Sequence, residues 1–152
     1  MKHIWYLAGP IGFTTGDEPI KWRTDITTFL ATLGHTVIDP MKKEVESMGG
    51  DLRGHFNKLR ETGNLAELRG MCRRHIIGQD LNAVNNSTMT LIYAPKGVHM
   101  CGTYGEATWA YGHGKPVFVV SNMNPEDLPN WLVGCSTIIF NSFREFKKFF
   151  GK

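Results

Sequence analysis

Apolar residues in this chain come in short runs that alternate with longer stretches of helical spacing. The run His3-Ile4-Trp5-Tyr6-Leu7-Ala8, stopped by Gly9-Pro10, has the length and β-prone composition of a buried strand. Trp22, Ile26, Phe29, Leu30 and Leu33 then repeat at helical intervals, with Gly34 placed as a C-cap. Thr36-Val37-Ile38, closed by Asp39-Pro40, predicts a second strand. Residues 41–63 are polar and glycine-broken, and predict a long loop with some helix. Helical spacing returns over 65–84. Further strands are expected at 89–94, 117–120 and 137–140, with a helix at about 103–113 and a closing helix at 143–150. Strands alternating with helices imply a mostly parallel five-stranded sheet with helices on both faces, an α/β, flavodoxin-like (Rossmann-like) sandwich. In such a sheet, ligands bind beyond the carboxyl ends of the strands, so the loops after Ala8, Ile38 and Ala94 are where chemistry is sought.

Composition adds limits. A length of 152 residues suits a single domain, and 41% hydrophobic residues with 20% charged is enough to build a core. The formal net charge of +3, from 17 Lys and Arg against 14 Asp and Glu, is too small and too dispersed for a nucleic-acid polymer partner. Cys72, Cys101 and Cys135 form no CxxC, which argues against a disulfide scaffold and a cysteine metal site. The short apolar N-terminal run resembles neither a signal peptide nor a membrane span, so a cytoplasmic chain without a membrane partner is expected. Seventeen glycines are an excess, and many fall in the expected strand-end loops: Gly9, Gly12 and Gly16 after the first strand, Gly97, Gly102 and Gly105 around Glu106. Gly49, Gly50, Gly54 and Gly63 fall within 41–63, where they suggest a lid over the crevice.

Four polar residues interrupt this pattern where a ligand would sit. Glu106 follows Cys101-Gly102-Thr103-Tyr104-Gly105; it is either the N3 partner of a Thr103 capping box or a carboxylate aimed into the crevice. Asp80 falls on the helical stripe Cys72, Ile76, Ile77, Leu81, Val84. It must be paired, titrate upward or escape to solvent beside Arg73 or Arg74. Tyr6 is either core or a hydroxyl that orients a carboxylate. Asp39 either forms a turn or faces the crevice. There is no GxSxG elbow, no GxxxxGK[ST] loop and no GxGxxG, and the six histidines form no HxxxH or HxH pair.

Together, Tyr6-Leu7-Ala8-Gly9-Pro10-Ile11, Gln79-Asp80-Leu81-Asn82-Ala83-Val84, Leu91-Ile92-Tyr93-Ala94-Pro95, Gly102-Thr103-Tyr104-Gly105-Glu106-Ala107 and Ala110-Tyr111-Gly112-His113-Gly114-Lys115-Pro116-Val117 resemble the nucleoside 2-deoxyribosyltransferase family. That family includes the 2'-deoxynucleoside 5'-monophosphate N-glycosidases. The resemblance implies a flavodoxin-like fold and cleavage of an N-glycosidic bond, with transfer of the sugar to another base or to water. It implies Glu106 as the nucleophile, Asp80 assisting at the sugar or base, and Tyr6 holding Glu106. Gly9, Pro10, Ile11, Asp39, Met100, Gly102 and Ser136 are the implied substrate-binding positions. Cofactor and metal are not implied. A small-molecule nucleoside or nucleotide is, and so is a homo-oligomer (dimer or higher) with shared active sites, because the segment around Cys135-Ser136 corresponds to one that completes a neighbour's pocket.

The chain departs from the family pattern at several places. Met100 stands where transferases commonly carry an aspartate and monophosphate hydrolases a serine. Ser136 matches a serine that contacts the 5'-phosphate in the hydrolases, yet Ile11-Gly12-Phe13-Thr14-Thr15-Gly16 lacks their arginine. A hydrolase restricted to monophosphates and a non-catalytic nucleotide-binding module are the alternatives.

Overall fold

Alternation along strand β1 (Ile4–Ala8) sends Trp5 and Leu7 to one face of the sheet and Tyr6 and Ala8 to the other. Both faces are apolar, which a central parallel strand requires. The computed structural model describes residues 1–11, 18–42 and 52–152. Helix α1 (Glu18–Thr32) leads to β2 (Thr36–Ile38), with Gly34 at φ +79° making the left-handed turn between them. Helix α2 (Leu52–Glu61) is followed by α3 (Leu65–Cys72), a π-helical turn (Arg73–Ile77) and α4 (Gly78–Asn86), the last three running on without a break. The remaining elements are β3 (Met89–Tyr93), α5 (Gly102–Gly112), β4 (Val117–Val120), a 3-10 turn (Pro125–Asp127), α6 (Asn130–Cys135), β5 (Ile138–Phe140) and α7 (Phe143–Phe150).

The five strands pair in the order β2-β1-β3-β4-β5, and every pairing is parallel. This is the flavodoxin-like order, whose crevice opens between β1 and β3, where the chain reverses its direction of winding. Helices α1 and α7 cover one face, where Trp22, Ile26, Leu30 and Phe146 pack on Trp5, Leu7, Leu91 and Phe118. Trp5 meets Phe118, Phe146 and Phe150 at ring separations of 5.4, 5.7 and 5.1 Å, the last two edge-on, as the ring quadrupoles favour. Helices α4, α5 and α6 cover the other face through Ala83, Val84, Ala107, Ala110, Leu132 and Cys135. Small residues there bring α4 and α5 close to the sheet, and this is the layer that carries Tyr6. A satellite cluster of Phe56, Leu59 and Met71 joins α2 to α3.

One expectation is revised, and two bear on segment 41–63. Within segment 41–63, expected as a long loop with some helix, the described residues include α2 over Leu52–Glu61. The suggested lid rests partly on Gly49 and Gly50, which lie outside the described residues. The stripe Cys72, Ile76, Ile77, Asp80, Leu81, Val84 does not hold as drawn. The π-helical turn adds a residue to the coil and swings Ile77 out, leaving it 52% exposed. Among the described residues, no helix is long and apolar enough to cross a membrane.

Candidate active site

Glu106 sits in the second turn of α5, with its side chain buried and the residue 9% exposed. The capping-box expectation is not met. The helix begins at Gly102 after Cys101, no side chain caps it, and Thr103 is already inside the helix and buried. Glu106 is therefore too deep to reach back to the helix start. Its Oε1 instead accepts a hydrogen bond of 2.7 Å from the hydroxyl of Tyr6, which stands on β1 and is fully buried. Asp80, in the first turn of α4, acts on the same carboxyl by its like charge.

Three segments thus bring one phenol and two carboxyls together at the carboxyl end of β1. Burial pushes Glu106 up to about 8, and the like charge of Asp80 adds to the rise, while the Tyr6 hydroxyl and the Arg23 guanidinium oppose it. The rise favours the protonated form of Glu106 beside Asp80. Burial, reinforced by Glu106 and Asp80, pushes the Tyr6 phenol far above its ordinary value, so it stays a donor.

Gly9, Pro10 and Ile11 follow β1 directly, Gly9 and Pro10 buried and Ile11 half-buried. Gly9 is required by contact: a Cβ there would lie 2.9 Å from Trp22 Cζ2 and 3.3 Å from the Tyr93 carbonyl oxygen. The rest of that loop, 12–17, lies outside the described residues. Gly102 and Gly105 border open space, with no heavy atom within 4 Å of a Cβ built at either. Met100 is buried among Tyr6, Ile92 and Ala107, so its side chain belongs to the packed layer under the site. Asp39 follows β2; its Oδ1 accepts from the Met41 amide at 3.0 Å and lies 3.4 Å from Arg23 Nη1.

Ser136 is placed elsewhere. Its neighbour Thr137 donates its amide to the carbonyl of Val117, the first residue of β4, which puts this segment at the amino-terminal edge of the sheet. The Ser136 hydroxyl donates to the Val133 carbonyl at 2.8 Å. Within one chain it does not join Tyr6, Asp80 and Glu106.

Arg23 is a member of the site's surroundings that the sequence pattern does not single out. It stands at Ile26 minus three and Leu30 minus seven, on the buried stripe of α1, and a cation on an apolar stripe is the available signal. Its guanidinium donates to the carbonyls of Leu7 and Gly9 at 2.9 and 3.2 Å. The described residues contain no cluster of three His, Cys, Asp or Glu side chains suited to a metal ion.

The sheet order and the helix layers place the chain in the flavodoxin-like class of α/β proteins. More particularly, it is similar over nearly its whole length to a 2-deoxyribosyltransferase from Bacillus psychrosaccharolyticus. The TM-score is 0.67 and the identity 22%, covering 95% of this chain and 90% of that one. It is also similar to the CMP N-glycosidase of Clostridium botulinum, with a TM-score of 0.56 and 17% identity over 97% of each chain. A conserved protein from Enterococcus faecalis gives a TM-score of 0.67 at 13% identity, over 99% of this chain and 98% of that one. No protein-family model and no curated protein sequence matches the chain. At these identities the likeness establishes the fold, and function rests on the site.

Proposed function

We propose that the chain is an N-glycosidic-bond enzyme of the nucleoside 2-deoxyribosyltransferase kind, acting on 2'-deoxyribonucleosides or their 5'-monophosphates. The observation that carries this reading is the buried contact of Tyr6 with Glu106, on whose carboxyl the charge of Asp80 also acts. The likeness of fold to a 2-deoxyribosyltransferase and to a CMP N-glycosidase supports it.

In the proposed reaction, a Glu106 oxygen attacks C1' of the sugar as the bond from C1' to the base nitrogen breaks. The electron pair of that bond leaves with the base, which takes the proton held by the carboxyl pair through Asp80. The product is a glycosyl ester on Glu106. An acceptor, either a second base or water, then attacks C1', the ester bond breaks, and the acceptor's proton returns to the carboxyl pair. A buried carboxylate suits this two-step route because it stabilises the oxocarbenium-like transition state and then becomes a leaving group. The Tyr6 hydrogen bond holds Oε1 and so orients the Glu106 carboxyl.

The test is a panel of deoxyribonucleosides and their 5'-monophosphates, incubated with and without an acceptor base and resolved by chromatography. Release or exchange of base by the wild-type chain, absent from Glu106→Ala, supports the reading; no release from any member overturns it.

A further inference from the structure

Arg23 is 1% exposed and, among the described residues, is the buried cation of the molecule. Removing a guanidinium from water is expensive, and it is tolerated only where acceptors replace the solvent. Here the acceptors are the carbonyls of Leu7 and Gly9, at either side of the point where β1 becomes loop, and the carboxylate of Asp39 at the end of β2. One planar fork therefore ties the ends of two adjacent strands to α1. Tyr6 immediately precedes the first of these carbonyls, so the clamp fixes the strand end that presents its hydroxyl to Glu106. Trp22 closes the other side: Arg23 Cζ lies 4.6 Å from its ring centroid, and the same ring bars any side chain at position 9.

We propose that Arg23 is a positioning residue of the site: it clamps the end of β1 so that Tyr6 meets Glu106. This rests on the glycosidic reading for its consequence in catalysis, but not for its geometry. The groups that act on Glu106 are Tyr6 from β1, Asp80 from α4 and Arg23 from α1; Arg23 opposes the rise that burial and Asp80 impose. A carboxyl that must attack C1' gains from that opposition, because only the ionised form is a nucleophile.

The experiment compares Arg23→Met, Arg23→Lys and Asp39→Asn by circular dichroism, by carbon-13 NMR titration of the Glu106 carboxyl (assigned with Glu106→Gln), and by the pH dependence of base release. Arg23→Met is expected to move the Glu106 titration to higher pH by about one unit. Arg23→Lys should keep the titration near the wild-type position, because the charge remains. It should still lose about 10-fold or more in rate, because an ammonium cannot hold both carbonyls in the fork geometry. Asp39→Asn, which removes the opposing charge and keeps the shape, should move the titration to lower pH. A folded Arg23→Met with an unmoved Glu106 titration overturns the proposal, as does Arg23→Lys shifting as far as Arg23→Met. Should Arg23→Met fail to fold, an unmoved titration in Asp39→Asn together with wild-type rates in Arg23→Lys overturns it. The titration needs no substrate, so absence of base release in the wild type would count against the glycosidic reading alone.

Discussion

The hydroxyl of Tyr6 lies 2.7 Å from Oε1 of Glu106, although 100 residues separate them along the chain. A hydrogen bond to a charged partner contributes roughly 1.5–3 kcal/mol. Tyr6→Phe keeps the ring in its apolar layer and removes only the donor. With the bond retained in the transition state, its loss should lower base release by roughly 10- to 100-fold. The Glu106 titration should also move to higher pH, because the hydrogen bond favours the ionised form. Unchanged rate and pH profile in Tyr6→Phe would mean that the contact is only structural.

Asp80 is expected to serve the departing base. Asp80→Asn should slow release of ordinary bases by roughly 10²–10⁴-fold, the usual range for lost acid catalysis. A deoxyriboside whose leaving group departs without protonation should be much less affected. Equal losses on both substrates would contradict the assigned role.

Stability should depend on pH through Glu106. Its ordinary value is 4.5 and burial raises it to about 8, so the folded state binds the proton more tightly than the unfolded chain. The contribution is fully present below about 4.5 and is lost as pH rises through about 8, at a limiting rate of about 1.4 kcal/mol per pH unit. Glu106→Gln lacks that titration. Thermal melts at pH 5 and pH 8.5 should show a larger loss of Tm in the wild type than in the variant. Parallel melting curves would contradict the burial argument.

Gly78 closes the π-helical turn that precedes Asp80, and a Cβ there would come within 2.8 Å of the Arg73 carbonyl oxygen. Alanine is the better helix former, and in an ordinary helix it would add about 1 kcal/mol. Gly78→Ala is instead expected to disturb the turn and displace Asp80, lowering base release more than it lowers Tm. A variant that is more stable and equally active would show that the turn does not set the position of Asp80.

Ser136 lies at the sheet edge opposite Glu106, so a role at a substrate requires a second chain. The expected result is a homo-oligomer in sedimentation whose dissociation on dilution abolishes base release. An active monomer would remove Ser136 from the site.

Much of the fold is legible in the sequence because its signals are local. All five strands are short apolar runs ended by proline, glycine or polar residues, and they lie within one residue of the expected positions. The cap expected at Thr103 fails because the pattern T-x-x-E carries no information on where the preceding loop ends; a comparable pattern does serve as a cap at Ser142, whose hydroxyl accepts the Glu145 amide. The π-helical turn is invisible in the sequence, since a single added residue leaves apolar spacing almost unchanged while rotating everything after it. Arg23 escapes notice for a physical reason: its partners are backbone carbonyls, which no residue type announces. Tyr6 and Glu106 stand out by their places beside strand ends, Asp80 by interrupting an apolar helical stripe, and all three by the resemblance; the structure adds the contact that joins Tyr6 to Glu106.

The most direct test of the central claim is mass spectrometry of the intact chain, quenched during turnover of a 2'-deoxyribonucleoside or its 5'-monophosphate. The account predicts a mass increase equal to the deoxyribosyl group or its 5-phosphate, mapping to Glu106 and absent from Glu106→Ala. Base release by Glu106→Ala at the wild-type rate, with no adduct on either chain, would contradict it.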